Sequence, residues 1–370
     1  MSDRFRVVVA PDKFKGSLTA DEAAEAMRLG VLDVLPDAQV SCLPVADGGE
    51  GTVDAYVSAG ATAHTVEVAG PLGAPTTARF AVRADTAVVE TAQACGLALV
   101  GRPTPATARA ADTAGVAQLV RAAVDAGAKR IVLGLGGSAS TDGGSGLGRG
   151  LGARLLDSPG RPLPPGGGAL ADLDRIDPSD LAAFDVEVLA ASDVTTRLLD
   201  AARVFAAQKG AEPDDIVRLT AGLQRYADVV ARDLGVALTD VPGGGAAGGL
   251  GGGAVAFLGA RIVSGVEVVL DLLGFADAVR GADLVLTGEG SFDAQSLTGK
   301  APIGVARAVH GVPVYLIAGR ATADAPELAG VLALTDLAEP AVAIRDAAPL
   351  LRRRAADAVR KFREFREFRG

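Results

Sequence analysis

The chain has 370 residues, 49% of them apolar and 22% charged, so it is long enough for two or three globular domains. Two cysteines exclude a disulfide framework, while the absence of tryptophan and a net charge of −9 argue against nucleic-acid partners and anionic lipid. There is no signal-peptide pattern and no run of about 18 apolar residues, so we expect a cytoplasmic protein with no membrane span.

The first predicted elements are a strand, a loop and a helix. Residues 7–10 are a short β-branched run, followed by a loop over residues 13–17. Thr19 and Glu22 then have the spacing of a helix capping box, and apolar spacing predicts a helix to about Leu35. This order is the first half of a parallel α/β unit.

The same order recurs along the chain, and each short apolar run ends in Gly, Ser, Thr, Asp or Glu. Helical spacing separates these runs, including a stretch from the glycine-rich residues 136–144 to Leu156. Because ligands bind at the carboxyl ends of strands in open parallel sheets, these polar residues are candidates for a site. The predicted strands are 130–135, 186–191, 283–286, 314–318 and 331–334, and further predicted helices are 107–126, 213–234, 300–309 and 341–366.

Residues 62–90 have a different pattern. Three short alternating runs, at 64–68, 77–82 and 87–90, predict an antiparallel meander. We interpret it as part of a second domain inserted into the first.

Two polar segments in the first 60 residues are candidate ligand sites. One is a basic loop that precedes a helix, where N–H groups and ammonium groups favour a phosphate or carboxylate; it contains Asp12, Lys13, Lys15 and Ser17. In the other, Asp47 and Glu50 flank a Gly-Gly pair and could hold a hydrated Mg²⁺. The alternatives are a solvated loop for the first and a tight turn with a helix cap for the second.

The glycine-rich segment 134–144 has the composition of a phosphate-binding loop. Its glycines let the backbone wrap an anion, and its hydroxyl side chains add donors. It is not a dinucleotide fingerprint, because Ala139 stands where a glycine is required, and no Gly-Lys-Ser/Thr ends it as in a P-loop. The residues predicted to contact phosphate are Gly136, Gly137, Ser138, Asp142 and Gly143.

Residues 287–302 combine two acids and a lysine at a predicted strand end. Glu289 and Asp293 follow the strand, and Lys300 begins a helix whose N-terminus faces the same sheet edge. Such a group favours a metal and phosphate site over a purely structural role.

Three other features complete the polar inventory. Asp193 follows a predicted strand, and Gln208 and Lys209 lie in a short segment before a helix. The glycines of residues 243–253 either line a ligand or allow close packing, and we favour packing.

Histidine and cysteine chemistry is disfavoured. His64 lies in the predicted meander, His310 precedes a glycine at a helix end, and there is no G-x-S-x-G elbow. Cys42 and Cys95 suit small core residues. The inventory of Asp, Glu, Lys and glycine loops instead suits Mg²⁺-dependent phosphoryl transfer, which needs positioning and charge stabilisation.

Taken together, the polar segments resemble the type-1 glycerate kinase family of bacteria. They occur in family order and span nearly the whole chain. The matching segments are APDKFKGSLTADEAAEAM (10–27), PVADGGEGTVDA (44–55), GLGGSASTDGGSGL (134–147), ASDVT (191–195), QKGA (208–211), GGGAAGGLGGG (243–253), DLVLTGEGSFDAQSLTGKAPIGVA (283–306) and VPVYLIAG (312–319).

The resemblance implies ATP-dependent phosphorylation of D-glycerate to 2-phosphoglycerate, with 3-phosphoglycerate left open. It implies two α/β domains with a cleft between them. The Rossmann- or flavodoxin-like parallel-sheet domain would comprise residues 1–45 and about 275–370, with 105–135 as an optional addition. A mixed α/β domain would take most of 46–275. We expect a small-molecule substrate and either a monomer or a homodimer.

The resemblance also suggests ligand contacts. The phosphates of ATP would lie on the 136–144 loop, assisted by Lys209 or Lys300. The carboxylate of glycerate would pair with Lys13 or Lys15.

For proton transfer, Asp193 is the first candidate for the base that accepts the proton of the substrate hydroxyl, and Asp293 is the second. Mg²⁺ would be held partly through water by two or three carboxylates from the set Asp47, Glu50, Asp193, Glu289 and Asp293.

One departure from the family pattern bears on the acceptor. An Asn-Pro pair is replaced by Thr196-Arg197, and a new guanidinium could change which acid binds. Two alternatives therefore stay open: a kinase of the same fold for another small hydroxy acid, and a non-catalytic ligand-binding regulator. The intact acids and Lys300 disfavour the regulator.

Overall fold

A computed structural model describes residues 4–294, 296–298 and 300–367. Its strands are β1 (Arg6–Pro11), β2 (Gln39–Cys42), β3 (Thr62–Ala69), β4 (Pro75–Arg83), β5 (Thr86–Glu90), β6 (Arg130–Gly134), β7 (Arg154–Leu156), β8 (Arg175–Asp177), β9 (Glu187–Ala191), β10 (Arg261–Val263), β11 (Leu284–Phe292), β12 (Val314–Ala321) and β13 (Gly330–Ala333). Its α-helices are α1 (Ala20–Val34), α2 (Thr52–Ser58), α3 (Ala92–Cys95), α4 (Pro105–Ala110), α5 (Ala114–Asp125), α6 (Ser145–Leu151), α7 (Ala201–Phe205), α8 (Pro213–Leu234), α9 (Ala246–Leu258), α10 (Gly265–Leu272), α11 (Phe275–Ala278), α12 (Ala301–Ala308), α13 (Pro340–Arg345) and α14 (Ala347–Glu367).

The chain divides into two compact units. The first contains residues 1–47, 54–59 and 266–370, and the second contains residues 48–53 and 60–265. Residues 105–135, which the sequence left open between two domains, lie in the second unit.

The first unit is built on a five-stranded parallel sheet. Its strand order is β2-β1-β11-β12-β13, which is the flavodoxin-like order 2-1-3-4-5 when strands are counted within the unit. Val7 and Val9 face one apolar layer and Val8 faces the other, as the two-residue period of a strand requires. Helices α1 and α14 contribute to the first layer, and α10 and α12 to the second.

The second unit is built on a mixed sheet with the order β10-β9-β6-β5-β4-β3. The predicted meander is confirmed, because β3, β4 and β5 pair antiparallel, while β5, β6, β9 and β10 pair parallel. A small antiparallel pair, β7 and β8, lies in the same unit. The predicted α/β class is confirmed, with one parallel and one mixed sheet.

Some predicted helices are interrupted. The predicted helix 107–126 is split into α4 and α5, because Asp112 and Thr113 bond neighbouring segments at the break. The helical stretch predicted to reach Leu156 ends at Leu151, since Gly152 has a φ of 113° and the chain then enters β7. The predicted helix 341–366 is divided at Asp346 into α13 and α14.

Across the residues that the structure describes, no helix is both long and apolar enough to cross a bilayer.

Candidate functional site

The predicted acids of the first unit lie where its strand order reverses. Asp12 directly follows β1, and Glu289 lies in the neighbouring strand β11, one residue beyond the Gly288 that pairs with Pro11. In a flavodoxin-like sheet this switch point, at the carboxyl ends of the strands, is where ligands bind. The topology therefore places two carboxylates at the expected position of a ligand.

Glu289 is a buried carboxylate with unused bonding capacity. The residue is 6% exposed, and its Oε1 atom has no hydrogen-bond partner among the described residues. Burial raises its pKa, while a hydrogen bond donated by the Ser296 hydroxyl opposes that rise. A buried unpartnered oxygen is unfavourable unless a ligand, cation or proton satisfies it.

Asp12 and Asp47 add to the negative charge at this edge. The pKa of Asp12 is raised to about 7, mainly by burial. The negative charge of Asp47 contributes to this rise, and the charge of Glu289 contributes less. The backbone N–H of Lys13 donates to Asp12 Oδ1 at 2.6 Å. Carboxylates that repel one another in this way favour a bound cation or a shared proton.

The basic loop after β1 is anchored by its one aromatic residue. Phe14 is buried in the core and pairs with Leu18, which closes a tight turn. Lys15 is exposed and Lys13 partly so, while the Ser17 Oγ atom is buried with no partner among the described residues. The loop therefore offers two ammonium groups and a hydroxyl to an anion.

Asp293 and Lys300 lie close to Glu289 in the same unit. The Asp293 N–H donates to Ser296 Oγ at 3.3 Å, and the charge of Lys300 lowers the pKa of Glu289. The structure thus brings these three predicted residues together. Sequence reasoning missed Ser296, which links them, because a serine in a loop carries no distinctive signal.

In the second unit the glycine-rich segment follows β6 but is mostly internal. Gly136 is partly exposed and Gly137 exposed, whereas residues 138–148 are buried. The segment is tied to a neighbouring turn, since Leu97 N–H donates to Gly137 O and Ala139 N–H donates to Cys95 O. Only its first two loop glycines are therefore open to a ligand.

Asp142 bonds within its own unit. Its two oxygens accept hydrogen bonds from Thr113 N, Thr113 Oγ1, Gly144 N and Gly146 N. Burial, and then the Asp112 charge, raise its pKa to about 6. These contacts indicate that Asp142 shapes the loop, and that Gly143, buried beside it, is held in place with it.

Lys209 also points inward. Its Nζ atom donates to Ser138 Oγ at 3.0 Å and to Ser140 O at 2.6 Å, and the residue is 4% exposed. Burial lowers its pKa to about 8. The adjacent Gln208 is exposed.

The glycines of α9 serve packing. A Cβ atom at Gly249 would lie 2.7 Å from the Cα atom of Gly143, and one at Gly253 would lie 2.6 Å from that of Gly144. Both distances are far below van der Waals contact, so only glycine permits this approach. The packing interpretation of residues 243–253 is supported.

Asp193 bonds to two residues of its own unit. Its Oδ1 atom accepts hydrogen bonds from Ser264 Oγ at 2.8 Å and Gly265 N at 2.9 Å. Arg197, which departs from the family pattern, forms an ion pair with the exposed Asp240 at 3.1 Å.

The segment around Glu50 is held by a residue that sequence reasoning missed. Glu90, 3% exposed at the end of β5, accepts hydrogen bonds from Gly51 N at 2.9 Å and Val53 N at 2.8 Å. An acid at the end of the predicted strand 87–90 was the available signal. Glu50 itself is exposed.

The two carboxylates predicted as metal ligands belong to different units, Asp47 to the first and Glu50 to the second. Over the described residues, no group of three or more His, Cys, Asp or Glu side chains is arranged to hold a metal ion.

Known proteins give a consistent comparison. The profile of the Glycerate kinase family matches residues 7–363. A Glycerate kinase of Bacillus subtilis is 43% identical, covering 92% of each chain, and a Glycerate 2-kinase of Escherichia coli is 44% identical, covering 86% of each. A crystal structure of a protein assigned as glycerate kinase 2 from Salmonella typhimurium LT2 superimposes with a TM-score of 0.86 at 39% identity, covering 99% of this chain and all of the other.

Proposed function

The chain belongs to the glycerate kinase family, and we propose that it transfers the γ-phosphoryl group of ATP to D-glycerate, giving 2-phosphoglycerate. The observation that carries the proposal is the carboxylate edge at the switch point of the parallel sheet, where one Glu289 oxygen has no hydrogen-bond partner among the described residues. The 44% identity to a Glycerate 2-kinase supports the 2-position as the site of transfer. We propose that the enzyme acts in the cytoplasm.

The donor set at this edge fits magnesium. Mg²⁺ prefers oxygen ligands, and it commonly takes one or two carboxylates and completes its shell with water and phosphate oxygens. Within the first unit, Asp47 and Glu289 would hold the ion, and Glu50 remains a ligand predicted from the sequence alone. When bound, Mg²⁺ neutralises charge on the transferring phosphate.

The cations have separate roles in the proposal. Lys13 and Lys15 would bind the carboxylate of glycerate, together with the Ser17 hydroxyl, which has no partner among the described residues. Lys300, whose charge acts on Glu289, would stabilise negative charge on the phosphoryl group.

On the second unit, the backbone N–H groups of Gly136 and Gly137 and the exposed Gln208 amide would contact phosphates of ATP. Ser138, Asp142, Gly143 and Lys209 would keep that loop in shape from inside. Their burial supports this, as do the hydrogen bonds from Lys209 to Ser138 and from the Gly144 N–H to Asp142. The predicted phosphate-binding set is thereby divided into contacting and positioning residues.

We keep the two predicted aspartates as the candidates for the base that accepts the proton of the substrate hydroxyl. Asp193 is the first candidate, because two hydrogen bonds on Oδ1 fix the orientation of its carboxylate. Asp193→Ala is expected to reduce kcat by about 100-fold or more while changing glycerate binding little. A near-normal kcat in this variant would favour Asp293 as the base. Measuring Asp293→Asn in parallel tests that alternative.

Phosphorus NMR of the protein with MgATP and D-glycerate tests the whole proposal. A new phosphomonoester signal split into a doublet, by the single proton of a secondary carbon, is expected for 2-phosphoglycerate. A triplet, from the two protons of a primary carbon, would support kinase activity but show that the product is 3-phosphoglycerate. Unchanged ATP would contradict the proposed acceptor, and a panel of small hydroxy acids would then test the same-fold alternative.

A further inference from the structure

We infer that Arg320 is a substrate-binding residue, whose guanidinium receives an oxyanion of one of the two substrates. The inference deepens the proposed function and rests on it for the identity of the substrates. It concerns a residue to which the sequence patterns assigned no role.

Arg320 lies on an extension of the functional edge. Strand β1 ends opposite Gly288, but β11 and β12 stay paired beyond that point, with Ser291 opposite Arg320 and Phe292 opposite Ala321. Arg320 is therefore in the strand next to Glu289, two residues beyond the Ala318 that pairs with it. This places a cation on the same carboxyl edge as the acids.

The extension depends on close backbone contact. A Cβ atom at Gly319 would lie 2.4 Å from Gly290 O, and one at Gly290 would lie 3.1 Å from Lys15 N. These two glycines thus bring β12, β11 and the basic loop together. The arrangement fixes the backbone that carries Arg320 near Lys15.

Arg320 has no acidic partner among the described residues. Its one hydrogen bond within the described residues is a long one, from Nη2 to Ser291 Oγ at 3.4 Å, and it has no ion pair with any described acid. Two other exposed arginines of this unit, Arg345 and Arg280, pair with Asp346 and Asp277. An arginine that has no acidic partner among the described residues, in the strand next to the one that carries Glu289, is available to a ligand anion.

The chemistry of the guanidinium defines the ligand group. Arginine binds planar carboxylates and phosphoryl oxygens through two parallel hydrogen bonds, which a lysine cannot reproduce. Both groups are present in the proposed reaction, as the carboxylate of glycerate and the phosphates of ATP. Measuring each substrate separately distinguishes them.

Steady-state kinetics of Arg320→Ala provide the first test. We expect a rise of about 10- to 100-fold in the KM for either glycerate or ATP, with the other KM changed less than threefold. Arg320→Lys should recover only part of the loss, because it keeps the charge but not the paired donors. Arg345→Ala, an exposed arginine with an acidic partner in the same unit, is the matched control and should behave like the parent.

A binding measurement separates this inference from the proposed function. The melting temperatures of the parent and of Arg320→Ala are compared with D-glycerate, ATP or inorganic phosphate added singly. If the parent has no turnover with glycerate, the proposed function fails, but a stabilisation by one of these probes that Arg320→Ala loses still supports the inference. Equal stabilisation of both proteins, or none of the parent, overturns it, as do unchanged kinetics in an active variant.

Discussion

The carboxylate edge of the first unit and the glycine-rich loop of the second differ in how they use their polar groups. At the edge, Glu289 Oε1 and Ser17 Oγ are buried without a described partner, and burial together with neighbouring acids raises the pKa of Asp12 and of Glu289. In the glycine-rich loop, the charged groups are satisfied: Asp142 accepts hydrogen bonds from loop N–H groups, and Lys209 donates to Ser138 and Ser140. The loop atoms buried without a described partner are the neutral hydroxyls of Ser140 and Thr141.

The contrast shows that composition alone does not identify a ligand site. Glycines and hydroxyl residues suit a backbone that wraps a phosphate, and they equally suit a backbone that packs against another glycine segment. Unpaired charge is more informative, because an unfavourable arrangement of carboxylates needs a ligand or proton to stabilise it. Four variants test the contrast.

The largest effect is expected at Glu289. Glu289→Gln keeps the shape of the side chain and removes its charge, so it should reduce kcat by about 100-fold or more while the fold is retained. Steady-state kinetics with circular dichroism measure both. Glu327→Gln, at an acid of the same unit paired with Arg307, is the control. An active Glu289→Gln enzyme would show that the carboxylate edge takes no part in the reaction.

Asp142→Ala should act on stability. It leaves the N–H groups of Thr113, Gly144 and Gly146 without their buried acceptor, which should lower the free energy of unfolding by about 3 kcal/mol. Urea denaturation measures the loss. A fully stable variant with a strongly raised KM for ATP would instead make Asp142 part of a ligand site.

Lys209 gives a pH-dependent test. Its pKa in the folded protein is about 8, below its ordinary value of 10.5, so folding favours the neutral amine. The stabilising contribution is therefore present above pH 10.5 and is lost as the pH falls through 8. Between pH 8 and pH 10 the parent should gain about 2 kcal/mol of unfolding free energy relative to Lys209→Met, measured by urea denaturation at each pH.

The KM of the same variant for ATP decides between two roles of Lys209. A change of less than about threefold is expected for a residue that supports the loop from inside. A large increase with unchanged stability would show that Lys209 binds the nucleotide.

The smallest effect is expected at Arg197. Its guanidinium pairs with the exposed Asp240, and such surface pairs contribute little. Arg197→Ala should leave the KM for D-glycerate within about twofold of the parent. A change in preference across a panel of hydroxy acids would restore the alternative in which this residue selects the acceptor.

Sequence patterns predicted the elements better than the side-chain directions. The capping box of α1, the helix at 213–234 and the meander follow from local spacing, and all are present. Local spacing does not reveal that Asp142 and Lys209 point inward, because that depends on the packing of α9 against residues 143–144. Glu90 was missed for the same reason, since it bonds to Gly51 and Val53, which are distant in the chain. Ser296 was missed although its partners are close in the chain, because a loop serine carries no distinctive signal.

The strand order of the first unit has a consequence for synthesis of the chain. The hydroxyl of Thr287 on β11 donates to the carbonyl of Ala10 on β1, 277 residues away, and the whole second unit lies between them in the chain. On the ribosome, β1 and β2 therefore emerge long before their sheet can be completed. Closing so long a loop is slow, and the exposed early strands are a hazard for misfolding. The second unit, whose sheet strands lie between residues 62 and 263, can fold during that wait.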